Sequence, residues 1–163
     1  MAGGSVAKAT LMGGLAAAVL AFGFSCLLYG LGPGVMARTV AAGWLGAGAS
    51  GGGLLITGLG LISHLLISLV AAALYVAVSL TFPLLRSRPF LTGPLFGVLV
   101  FLVMRFLVLP LSAAGQGGIT VALLIGSLLA HGFLFGLPIA LFAARYLPVA
   151  RPISAPSLEE NVA

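Results

Sequence analysis

Apolar residues fill four long stretches of this chain, and the polar side chains inside them are few and regularly spaced. About 20 apolar residues are what an α-helix needs to cross a hydrocarbon core about 30 Å thick. The pattern predicts spans over residues 9–29, 54–80, 91–112 and 119–142. The expected fold class is an all-α integral membrane protein. Residues 1–147 form a single four-transmembrane-helix bundle, and 148–163 a polar C-terminal tail. In the second span Thr57, Gly60, His64, Ser68, Ala71, Tyr75 and Ser79 recur at spacings of three and four, which sets them on one helical edge. Ser63 is the polar residue of that span that falls off the edge. Thr120, Ser127 and His131 share an edge of the fourth span. Hydrogen-bonding groups turned to lipid are costly, so both edges are expected to face the bundle interior.

Small residues predict where the helices meet. Gly93-x-x-x-Gly97 and Gly132-x-x-x-Gly136 each place two glycines on one face, and Gly14 with Ala18 does the same on the first span. Such faces let lipid-embedded helices approach closely.

The connections differ in character. Residues 30–53 are apolar and rich in glycine, too poor in charge for a solvated loop and too broken to span. Within them Val35 to Leu45 predicts a short interfacial helix with Trp44 at headgroup level. Gly46 to Gly53 reads as a hinge or a re-entrant stretch. Pro83 to Pro89 is a short basic turn, and Ala113 to Gly118 is uncharged.

Charge then orients the bundle and narrows the chemistry. Charged residues make up 6% of the 163 positions and apolar ones 61%, whereas a soluble domain is roughly 25% charged. Lys8, Arg86, Arg88, Arg145 and Arg151 fall on one predicted side, and Arg38 alone in a loop on the other. By the positive-inside tendency both termini are cytoplasmic and the first loop is external. The seven basic residues therefore read as topology signals, not as a nucleic-acid surface. There is no Asp, and the only Glu residues are 159 and 160. Paired-carboxylate hydrolysis, carboxylate-held magnesium and acid-relayed proton transport all lack their groups within the spans. The single cysteine, Cys26, leaves no internal disulfide or thiolate metal cluster. No cleaved signal peptide is expected, since the first apolar run belongs to the bundle.

Three ionisable residues lie inside the spans. His64 is ten residues into its span and His131 twelve, roughly 15 and 18 Å deep on helices that run the same way. Arg105 lies roughly 10 Å from the outer end of the third span. Three readings follow. The histidines hydrogen-bond to neighbouring groups while Arg105 pairs with carbonyls or snorkels outward. Alternatively, His64 and His131 ligate a haem b, with Arg105 on a propionate. In the third, Arg105 draws a small or anionic solute into a cavity, as in a transporter or channel. Zinc is disfavoured, because two imidazoles lack the further ligands it takes.

Leu61 to Ile67, Tyr75, Pro89 to Gly97, Val108 to Ser112, Trp44 to Gly46 and Gly136 to Ala140 together resemble a family of small bacterial inner-membrane proteins with no assigned activity. The resemblance covers most of residues 30–146. It implies a four-span fold, a histidine on the second span and residence in the bacterial inner membrane. In that family an Asn often stands near the place of Arg105. The function expected on these grounds is non-enzymatic: a structural or accessory subunit packing against lipid, a larger membrane protein complex or further copies of itself. No catalytic residue, metal or resident cofactor is expected, haem b at His64, His131 and Arg105 being the alternative.

Overall fold

A computed structural model describes residues 2–115 and 117–147, and among these there are helices and no strands. Six helices follow in order: α1 (Ala2–Tyr29), α2 (Pro33–Leu45), α3 (Leu54–Thr81), α4 (Leu84–Ser87), α5 (Pro89–Leu111) and α6 (Val121–Tyr146). Four of them, α1, α3, α5 and α6, are long and apolar enough to cross a membrane. These match the four expected spans; α1 starts seven residues early, at Ala2, and the other ends shift by four residues or fewer. Pro89 opens α5 two residues early, because a proline in the first turn gives up an N–H that would be unpaired anyway. α6 runs on through Arg145 to Tyr146, four residues past the expected end. The predicted tail lies outside the described residues.

The long helices stand in an arc. α1 packs against α3 on one side and α6 on the other, and α5 packs along the far side of α6. α3 touches the second half of α6 and meets α5 chiefly through Tyr75, at Thr92 and Phe96. Adjacent glycines on α1 show the two-sided packing: Gly13 meets Ile139 and Phe142 of α6, while Gly14 meets Ser68 and Leu69 of α3. The interior is built from small side chains, among them Ala9, Ala17, Ala21, Ala72, Ala140 and Ala143, with Tyr75, Val76 and Ile139 as its largest fully buried members. With little water to expel in lipid, helices gain by close fit, and small residues allow it.

The α5–α6 seam is backbone against backbone. A Cβ on Gly97 would run into the His131 carbonyl, and one on Gly136 into the Gly93 carbonyl and the Gly97 amide. Both glycine pairs therefore face each other across one interface.

The first loop holds more structure than a membrane-surface helix. α2 lies directly on α3, burying Met36, Ala37 and Ala41, with the Ala37 carbonyl set against Gly60. A 3₁₀ turn over Gly46–Gly51 then returns the chain to α3. Trp44 reaches back to donate its indole N–H to Ser63 Oγ at 3.0 Å. The off-edge serine of α3 is thus buried by α2, while Ser68, Tyr75 and Ser79 are buried on the predicted edge.

Candidate functional site

Two prolines shape the site. Pro110 and Pro138 stand inside apolar helices, where each lacks an N–H and crowds the carbonyl four residues back. The helix answers in each case with a π-helical stretch just before the proline, Met104–Val108 in α5 and Ala130–Gly136 in α6. The residue preceding each proline bonds five positions back, Leu109 N–H to the Met104 carbonyl and Leu137 N–H to the Gly132 carbonyl. Such widened turns are frequent at functional sites. These two contain the intramembrane ionisable residues of their helices, Arg105 and His131.

Between them lies a cavity of about 700 Å³. α5 contributes Phe101, Met104, Arg105 and Leu109, and α6 contributes Leu123, Ser127, Ala130 and His131. Ser25 and Tyr29 of α1 and Thr39 of α2 add hydroxyls, and Gly115, Gly117 and Gly118 form its glycine-rich rim. The connection carrying that rim is tied down, since Ala113 N–H donates to the Gly43 carbonyl at 3.0 Å. Arg105 Nη2 donates to the Gly117 carbonyl at 2.9 Å, so the guanidinium leans from the span toward the rim. The expected pairing with a carbonyl is present.

Deeper in, Tyr29 and Ser127 hydroxyls lie 3.0 Å apart. His131 Nδ1 donates to the Ser127 carbonyl at 2.8 Å, and its ring contacts Phe101 edge-on and Phe135. The imidazole bonds the serine's carbonyl and not its hydroxyl, so it is not set to take a proton from Ser127 Oγ as a nucleophile's base would.

His64 is placed differently. It stands about 15 Å along α3 from Leu54, as His131 does along α6 from Val121. Yet His64 is not part of the cavity wall: its Nε2 donates to the Ala18 carbonyl of α1 at 3.1 Å, and its ring rests on Phe22. Arg105 and His131 share one space, while His64 serves the α1–α3 seam. The two imidazoles also present opposite nitrogens. His131 holds Nδ1–H on a carbonyl, the orientation common for an imidazole whose Nε2 binds a metal. His64 has its Nε2 engaged, so a haem iron bound through that atom would first break the Ala18 bond.

Ser25, Tyr29 and Thr39 were not legible as wall residues, because each lies near a helix end or on α2. The prolines were a usable signal: a polar residue five or seven positions before a proline in an apolar helix marks where the ladder must widen.

A second opening lies between the two ends of the arc, α3 and α5. It is an apolar groove of about 360 Å³ walled by Leu74, Val78, Leu85, Leu95, Phe96 and Leu99. Tyr75 and Thr92 form its base. Tyr75 Oη donates to the Leu85 carbonyl at 2.8 Å and lies 2.8 Å from Thr92 Oγ1, with Phe96 edge-on to its ring.

Fold and site together define a multi-pass helical membrane protein. The chain matches no family model, no curated protein and no solved structure.

Proposed function

We propose that the protein is a non-enzymatic accessory subunit of a cytoplasmic membrane, which packs one apolar side against a transmembrane helix of a larger membrane protein. The carrying observation is the open α3–α5 side of the arc. Only 11% of the most apolar stretch of α5 is buried, against 28% to 33% in the other spans. α5 is held along α6 by glycines, and its remaining faces carry Phe90, Leu91, Leu95, Leu99 and Leu102 outward. The groove beside it is lined by aliphatic and aromatic side chains and runs along the helices, a shape suited to the ridge of one more helix.

The charge distribution supports an orientation with both termini and the Arg86–Arg88 turn in the cytoplasm. The distribution of acids supports a non-catalytic role, since no carboxylate precedes Glu159. Site-specific photocrosslinking in intact membranes tests the reading. A photoreactive residue at Leu99, in the groove, is expected to give a discrete protein adduct of higher mass. The same residue at Val19, on the exposed side of α1, is expected to give lipid adducts only. Lipid adducts from both positions would sink the proposal.

A further inference from the structure

The α3–α5 groove is apolar along its walls and basic at one end. Leu85 lines that end, and its carbonyl accepts from Tyr75 Oη at 2.8 Å, which seats the α4 turn on the groove's base. Arg86 and Arg88 are borne by the same turn. The Arg88 carbonyl accepts from the Thr92 N–H at 3.0 Å, so its backbone stands directly over a groove residue, and its side chain is exposed. Arg86 is turned toward α6, where Nη1 donates to the Leu147 carbonyl at 2.9 Å while the buried Nε has no hydrogen-bond partner. No carboxylate lies among the described residues, so within them this mouth carries positive charge and no acid to meet it.

An apolar groove by itself accepts any greasy ridge, so charge has to choose between helices. With this end in the cytoplasm, as proposed, most helices arriving there bring lysine or arginine on their flank, because that bias sets orientation. Such a helix would set like charge beside Arg88, which suppresses wrong partners. A carboxylate at the same height is instead attracted, and a guanidinium can grip it through paired N–H···O bonds. Resting on the proposal that a partner helix lies in this groove, we infer that the helix carries an aspartate or glutamate at its cytoplasmic end, paired with Arg88 at the mouth. The groove supplies the contact area and the ion pair the selectivity.

The test keeps the photoreactive residue at Leu99 in the full chain, in intact membranes, and varies the charge at Arg88. The protein adduct formed by the unaltered chain is expected to survive Arg88→Lys and to fall about fivefold in yield with Arg88→Glu. Peptide sequencing of the adduct is expected to place an acidic residue within about one turn of the cytoplasmic end of the captured helix. Exchanging that acid for lysine in cells that make the Arg88→Glu chain is expected to restore the yield, a rescue that a chain misfolded by Arg88→Glu would not show. A yield indifferent to Arg88→Glu, a captured helix without the acid, or a failed rescue would overturn the inference and leave the groove reading standing. Lipid adducts alone, or an adduct made only of this chain, would remove the groove reading and the inference with it.

Discussion

Gly97 shows how much a single hydrogen atom can decide in this molecule. The His131 carbonyl occupies the place where its Cβ would go, and the contact is backbone on backbone, so no side chain can swing aside. Gly97→Leu is therefore expected to part α5 from α6 and lower stability by at least the roughly 1–3 kcal/mol typical of overpacking, read as a lower unfolding temperature in detergent. Gly23→Leu, in open space on α1, should change little in the same assay. Tyr75 is a second sensitive position. Its hydroxyl joins α3 to the α4 turn and to Thr92, so Tyr75→Phe should cost about 1 kcal/mol, measured by the same melting experiment. Both glycine pairs and the buried edge of α3 were legible in the sequence, because small and polar residues in lipid have few places to go. Ser63 was not. Its partner, Trp44, comes from a loop helix whose docking no helical period within α3 reveals.

At the level of elements, the widened turns explain why α5 and α6 are long helices with irregular middles. A π-helical stretch trades a regular ladder for five-residue bonds, so its amides should open more readily than those of the flanking turns. Hydrogen exchange in detergent should find Met104–Val108 and Ala130–Gly136 exchanging before Phe96–Val103 and Ile139–Phe142; uniform protection along either helix would contradict this. The existence and position of the four spans follow from apolar runs alone. The irregular middles do not, because hydropathy is blind to a missing N–H. Pro110 and Pro138 carried the information, and reading it requires asking which carbonyl each proline leaves unpaired. α2 was half legible: its helix was expected, but its docking on α3 depends on Gly60 and Ala37 meeting across the chain.

For the molecule as a whole, charge bears on orientation and helix order on assembly. If the basic end lies in the cytoplasm, A114C in a Cys26→Ser background should react with an impermeant thiol reagent on intact cells, and S87C only after lysis. The reverse pattern would invert the proposed topology. The arc also has a consequence for biogenesis. Helices enter a membrane in the order of synthesis, yet α1, the earliest made, lies between α3 and the latest, α6. Gly14 gains its neighbour early, whereas Gly13 waits for Ile139 and Phe142. Throughout that interval the nascent chain carries an unfinished flank of alanine and glycine, a feature that invites holding by the insertion machinery or removal by quality-control proteases. Truncation after Leu111 freezes the protein at that stage, and such fragments should be short-lived in cells although three of the four crossings are intact.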